Sequence, residues 1–231
     1  MEEVFFNGVV GRLEGRFHRS ESPRAPLVLV LPPNPTQGGA MNNRVVYTLF
    51  QAFVDLGFSV LRFNYRGVGH SQGQIDGSGA GELADTIVAM DWLQSLDTEA
   101  NQCWIVGYSF GAWIAAQVLM RRPEIKGFVF VTPPTEMYDF NFLSPCPASG
   151  LIVQGGRDEI VNENGVVLLS EHLSSNPFVD VQYRRIAYAD HLYTKTLKPL
   201  YDTVFQTIPK IQLRPNKDVK KSLNVISNDD Y

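Results

Sequence analysis

The sequence predicts an α/β protein, a mostly parallel central sheet with helices on both faces, and three observations carry that expectation. From Leu27 onward, short apolar runs alternate with longer segments of helical character, the pattern of parallel strands covered by crossover helices. The stretch Cys103–Met120 passes from an apolar run through Gly107-Tyr108-Ser109-Phe110-Gly111 straight into strong helix formers. With 231 residues, 44% hydrophobic and 19% charged, the chain can bury one substantial core.

Two short antiparallel strands are expected near Glu3–Phe6 and Gly11–His18, before the buried strand Leu27–Leu31. Val45–Leu56 reads as a helix, Phe58–Phe63 as a strand, Gly81–Leu96 as a helix, Cys103–Tyr108 as a strand and Ala112–Arg122 as a helix. Lys126–Val131, Leu151–Gln154 and Val179–Ile186 supply further strands, with helices near Asn162–Leu173 and Leu192–Ile208. Residues 1–213 read as one domain without repeat or linker. Residues 214–231 are polar, lack a periodic pattern and hold the basic cluster Lys217, Lys220 and Lys221; they read as a flexible C-terminal tail.

The Gly107–Gly111 segment is a G-x-S-x-G pentapeptide between a strand and a helix. Such a nucleophile elbow forces its central residue into a strained backbone and exposes the hydroxyl above the sheet edge. It also sets Ser109 at a helix N-terminus, where free N–H groups and the helix dipole favour developing negative charge. Ser109 is the candidate nucleophile. A second pentapeptide, Gly69-His70-Ser71-Gln72-Gly73, fits the same pattern, but loop composition follows it instead of a helix. Ser71 therefore reads as a loop serine bonded to local backbone.

A serine hydroxyl is a weak nucleophile until a base takes its proton. Of four histidines, His18 falls in an N-terminal strand, His70 in the second pentapeptide and His172 on an exposed helix face. His191 follows the strand-like Val179–Ile186 through a short link, at the strand end where open α/β sheets place their chemistry. The base needs an orienting carboxylate. Asp158 follows the apolar run Gly150–Gln154 and a glycine pair and is the candidate acid. Asp139, after the preceding strand, is the main rival and Glu159 a weaker one; Asp190, next to His191 in sequence, reads as a turn residue. For the oxyanion, the backbone N–H of Phe110 is one donor. The second is assigned to Asn34, because proline has no N–H and Pro32, Pro33 and Pro35 surround it.

These segments resemble the α/β-hydrolase superfamily, and within it the small bacterial hydrolases grouped near dienelactone hydrolases and prolyl-oligopeptidase-like esterases. The resemblance rests on Gly11–Gly15, Gly38–Asn43, Arg62–Gly73, the elbow, Gly155-Gly156-Arg157-Asp158 and Ala189-Asp190-His191. It implies an α/β-hydrolase fold, agrees with the chain order Ser109, Asp158, His191, and makes Arg66–Ser71 a structural loop. The chain departs from the pattern at Pro32-Pro33-Asn34-Pro35, where relatives often carry His-Pro-His-Pro or His-Gly. Lipase-like relatives insert a helical cap after the strand that here ends at Val131; only Thr132–Ser149 is available, which implies a minimal cap. In it, Met137–Leu143 is aromatic and could wall an acyl pocket or pack on the sheet.

The expected activity is a carboxylesterase-type serine hydrolysis of small to medium esters or thioesters through an acyl-enzyme. A prolyl-oligopeptidase-type peptidase and a non-catalytic binding protein on the same fold are the alternatives. A net charge of −4 argues against a nucleic-acid surface. Nothing suggests a membrane span or signal peptide, and a cytoplasmic protein is expected. Cys103 and Cys146 read as reduced packing residues, and no metal-ligand or cofactor motif is seen. Association into a homo-oligomer stays open.

Overall fold

The computed structural model describes residues 1–97, 99–100 and 102–211; the expected tail, 214–231, and the expected domain end at 213 lie outside the described residues. The elements run β1 (Glu2–Asn7), β2 (Arg12–His18), β3 (Leu27–Leu31), α1 (Arg44–Asp55), β4 (Ser59–Phe63), α2 (Ala80–Ser95), β5 (Cys103–Tyr108), α3 (Phe110–Arg121), β6 (Ile125–Val131), β7 (Ser149–Gly155), α4 (Glu163–Ser174), β8 (Val181–Ile186) and α5 (Leu197–Thr207). They build one eight-stranded sheet in the order β1-β2-β4-β3-β5-β6-β7-β8. The pairs β1/β2 and β2/β4 are antiparallel and the remaining pairs parallel.

The central strands are mainly apolar because both their faces are covered. Every residue of β3, β4, β5 and β7 is buried. Side chains alternate across the pleat. Leu27, Leu29 and Leu31 join Leu61, Phe63 and Ile105 in a core with α2, α3 and α4 residues such as Met90, Ala115 and Val166. Val28 and Val30 join Trp104 and Val106 in a second core on the opposite face, against Leu49 and Phe53 of α1 and Leu200 and Val204 of α5. Each fully buried Val, Leu, Ile, Phe or Met side chain contributes roughly 1.5–3 kcal/mol. Asparagine side chains start two of the covering helices: Asn43 accepts from the Val45 N–H at 2.9 Å and Asn162 from the Asn164 N–H at 3.0 Å.

Strand order decides where a site can form. The chain leaves β3 for β4 on one side and later crosses back to β5 on the other. The connections at the carboxyl ends of β3 and β5 therefore diverge and open a crevice.

The last helix differs from expectation. It begins at Leu197 instead of Leu192, because Tyr193 has φ +52°, which an α-helix does not accommodate. The intervening residues form turns, with Tyr193 N–H donating to the Asp190 carbonyl at 3.1 Å and Thr196 N–H to the Tyr193 carbonyl at 3.0 Å. Among the described residues, no helix is long and apolar enough to cross a membrane.

Candidate active site

The elbow forms as strand, turn and helix. Ser109 has φ +53° and ψ −122° and precedes α3 directly, with no capping hydrogen bond from its side chain. Its N–H donates to the Val131 carbonyl at 2.9 Å and its carbonyl accepts from Ala112 N–H at 2.8 Å, so the turn is held on both sides. A non-glycine residue in this region costs on the order of 1–3 kcal/mol. The flanking glycines serve close approach. A Cβ on Gly107 would stand 2.2 Å from the Gly111 carbonyl oxygen, and one on Gly111 would stand 2.5 Å from the Pro32 carbonyl oxygen. The second contact also shows that the loop after β3 lies against the elbow.

Asp158 and His191 leave the carboxyl ends of the neighbouring strands β7 and β8. His191 Nδ1 is 2.9 Å from Asp158 Oδ2 and 3.2 Å from Oδ1. Oδ1 also accepts the backbone N–H groups of Ile160 and Val161, each at 2.9 Å. The Asp158 side chain is wholly enclosed and that of His191 nearly so. Burial alone would raise the Asp158 carboxyl, but the bonds from His191, Val161 and Ile160 outweigh it and hold the group below its ordinary value. The two loops are tied together, with Gly156 N–H donating to the Ile186 carbonyl and Arg157 N–H to the Ala189 carbonyl, each at 2.9 Å. Tyr108, the residue before Ser109, donates its hydroxyl to the His191 carbonyl at 2.8 Å, and its ring lies 5.7 Å from the imidazole. The elbow strand thus anchors the histidine loop.

The rival carboxylates are occupied elsewhere. Exposed Asp139 accepts from Asn141 N–H at 2.9 Å, and its carbonyl accepts from Trp113 Nε1 at 3.2 Å. Glu159 is exposed. Asp190 closes a turn by accepting from Thr194 N–H at 2.8 Å. Ser71 is buried, with its hydroxyl donating to the Asn64 carbonyl at 2.7 Å and accepting from Glu14 N–H at 2.9 Å. His18 lies in β2 and His172 is exposed on α4.

Asn34 begins a 3₁₀ turn over Pro35–Gln37. Its Oδ1 accepts from Thr36 N–H at 2.9 Å and from the Thr36 hydroxyl at 2.8 Å, and its carbonyl accepts from Gly39 N–H at 2.9 Å. Among the described residues, no backbone carbonyl accepts from the N–H of Asn34, and none outside α3 accepts from that of Phe110. Tyr138 joins the two residues: its hydroxyl is 3.5 Å from Asn34 Nδ2 and its ring 5.6 Å from Phe110, while it stacks on Trp113 at 4.4 Å. The aromatic flap after β6 is therefore divided. Phe140 and Leu143 pack into the core, Tyr138 is half-buried beside the elbow helix, and Met137 is 58% exposed. A cavity of about 370 Å³ between the flap and α4, bordered by Thr135, Phe140, Leu169 and His172, holds none of the three triad candidates.

The sequence places Tyr138 only within the aromatic segment Met137–Leu143, and it does not mark Tyr108 or Gln154 as site residues. Gln154 carried a signal, a polar residue closing the apolar run Leu151-Ile152-Val153. Among the described residues, the one group with metal-ligating geometry is Glu3, Glu14 and His70, whose ligand atoms lie within 4.8 Å of one another. It belongs to the antiparallel edge of the sheet, and Glu3 there also pairs with Arg16 at 2.8 Å. Both cysteines are free and buried, and burial pushes the Cys103 thiol up to about 12.

Known proteins share this fold. The chain is 45% identical to a protein of unknown function from Agrobacterium tumefaciens, whose structure superposes with a TM-score of 0.87 over 90% of this chain and 95% of that one. A Xanthomonas campestris serine hydrolase described as lacking a lid is 27% identical, with a TM-score of 0.82 over 93% of this chain and 96% of that one. The lysophosphatidylserine lipase of Bos taurus is 27% identical over 80% of this chain, which spans about half (50%) of the lipase's length. The family model for the alpha/beta hydrolase fold matches residues 26–149, and the chain belongs to that family.

Proposed function

We propose that the protein is a serine hydrolase of small to medium carboxylic esters or thioesters, with Ser109, His191 and Asp158 as its triad. The observation that carries this reading is the 2.9 Å bond between the enclosed Asp158 carboxylate and His191 Nδ1, on a loop that Tyr108, the neighbour of Ser109, holds at the elbow. A carboxylate on Nδ1 selects the tautomer whose Nε2 is a free base.

Ser109 Oγ attacks the acyl carbon while Nε2 takes its proton. The carbonyl electrons move onto oxygen, and the N–H groups of Phe110 and Asn34 bind that oxyanion; one such donor contributes roughly 10²–10³-fold in rate. Collapse expels the alcohol or thiol, protonated from Nε2, and leaves the acyl-serine. Water then gives a proton to Nε2, attacks the acyl carbon and releases the acid, and Ser109 recovers its proton. Asp158 stays ionised throughout, and its charge stabilises the imidazolium that forms in each half. The half-buried Ser109 and the short flap suit compact acyl groups, as does the likeness to a serine hydrolase without a lid.

Labelling with a fluorophosphonate probe tests the chemistry. Wild type and Ser71→Ala are expected to label, and Ser109→Ala and His191→Ala are not; an unlabelled wild type overturns the reading. A panel of acyl esters from acetyl to palmitoyl, with a triglyceride and lysophosphatidylserine alongside, tests the substrate class. Preference for the long-chain triglyceride or the lysophospholipid overturns the small-ester assignment while leaving the triad in place.

A further inference from the structure

We propose that Gln154 is a positioning residue for the triad acid, its side-chain amide fixing the orientation of the Asp158 carboxylate and sharing the oxygen that faces His191. The inference rests on the triad reading above.

Gln154 lies in β7, where every residue is buried, and its side chain is wholly enclosed. Its Nε2 is 3.4 Å from Asp158 Oδ2, 3.2 Å from the Val161 carbonyl and 3.4 Å from the Gly155 carbonyl. All three neighbours only accept hydrogen bonds, so the nitrogen end of the amide must face them; the reverse orientation would set Oε1 against three acceptors. Oε1 has no partner among the described residues. An enclosed amide with an unmatched oxygen is unfavourable on a strand face where Ile152, two residues before it, packs into the apolar core. What the amide supplies is donors. They reach the carbonyls on either side of the acid's turn and the one carboxylate oxygen that lies closest to His191.

Asp158 is thereby held from both oxygens. Oδ1 takes the Ile160 and Val161 N–H groups, and Oδ2 lies between His191 Nδ1 and Gln154 Nε2. Gln154 and His191 draw on the same oxygen. Removing the amide leaves more negative charge on Oδ2 for His191, strengthening that bond, and frees the turn to move. The other titratable groups whose charge bears on Asp158 or is shifted by it are Tyr108, Tyr193 and Asp190, and none is altered by substitution at 154.

The test uses the full chain as wild type, Gln154→Met, which has similar volume and no donor, and Gln154→Glu, whose acid beside the Asp158 carboxylate stays protonated and donates more strongly. The first readout is the downfield proton resonance of His191 Nδ1–H, identified by its loss in His191→Ala. The second is the rate of fluorophosphonate labelling. Gln154→Met is expected to move the resonance further downfield and to slow labelling about 10- to 100-fold through misplacement of the base. Gln154→Glu is expected to move the resonance upfield and to label faster than Gln154→Met. An unmoved resonance in the variants overturns the inference, even if labelling slows along with a lower melting temperature, since that is a packing effect. If Gln154→Met does not fold, the resonance of Gln154→Glu decides alone. A wild type that fails to label overturns the triad reading, and the resonance still reports on the Gln154 contact.

Discussion

The two G-x-S-x-G segments of this chain have the same spacing and opposite construction. At Gly107–Gly111 the serine takes the left-handed backbone, φ +53°, while the glycines let carbonyls approach closely. At Gly69–Gly73 the glycines take the positive angles, φ +56° and +93°, and Ser71 is relaxed. The hydroxyls differ accordingly. Ser109 makes no capping bond and stands half-buried at a helix start, whereas Ser71 is buried with both a donor and an acceptor engaged. A nucleophile needs a hydroxyl that is free to lose its proton to a base, and of these two serines Ser109 is the one built that way.

The second segment has its own work. Buried carboxylates hold it: Asp85 takes Arg66 through Nη2 at 2.7 Å and Nε at 3.0 Å, Glu14 takes Asn64 Nδ2 at 2.9 Å and His70 N–H at 2.8 Å, and Glu82 takes the Gly77 and Gly79 N–H groups. The loop then abuts the turn after Asn34 and the helix α3. A Cβ on Gly77 would stand 2.2 Å from Thr36 Cγ2, and one on Gly79 would stand 2.4 Å from the Trp113 ring. One serine motif carries the proposed nucleophile, and the other packs against the loop and helix beside it.

Substitutions can break this contrast. The largest effect is expected for Ser109→Ala, a loss of ester hydrolysis of about 10⁴-fold or more with the melting temperature maintained; retained turnover would equate the two segments. Asp158→Asn is expected to lose about 10³- to 10⁴-fold, since the amide favours the wrong histidine tautomer. That variant also has a pH signature. The Asp158 carboxyl is held below its unfolded value, so its stabilisation is complete at neutral pH and is lost only as pH falls through the folded value, beneath the ordinary carboxylate range. Melting temperatures from pH 7 downward should therefore fall less steeply for Asp158→Asn than for wild type, and parallel slopes would contradict the assigned bonds.

Smaller effects sharpen the comparison from the other side. Asp85→Ala strands the largely buried Arg66 guanidinium and is expected to cost about 3–5 kcal/mol, read by urea denaturation. Ser71→Ala leaves a buried N–H and carbonyl unmatched and should cost about 1–3 kcal/mol while changing kcat/KM far less than Ser109→Ala. His70→Ala, at the same motif, removes a side chain that is 76% exposed and should change stability by less than about 0.5 kcal/mol. If His70→Ala proved more damaging than Ser71→Ala, the structural role given to that serine would be wrong.

Much of the architecture was legible in the residues because local chemistry dictates it. The Leu27–Leu31 run can only be a strand covered on both faces, and Cys103–Tyr108 falls at the expected bounds. The start of α5 was misplaced by the left-handed Tyr193, whose backbone is set by turns around Asp190 and not by any periodicity. Asp158 was favoured over Asp139 on the strand and glycines before it, yet the residues alone left both open. Their separation arises because β7 lies beside β8 while β6 lies one strand further away. Tyr108 is unreadable as a partner of the site because it bonds His191, 83 residues further along the chain; Gln154 lies just before Asp158 in sequence, and only the fold of the intervening turn brings its amide to that carboxylate.

By itself the sequence determined the alternation of strands and helices, the strand-turn-helix around Ser109 and the chain order of the candidate triad, because those depend on neighbours a few residues apart. Only the tertiary structure decided which carboxylate reaches His191, which of the two motif serines is bonded on both sides and which loop lies against the elbow. Those outcomes depend on distances between residues remote in sequence, and strand order and packing alone set them.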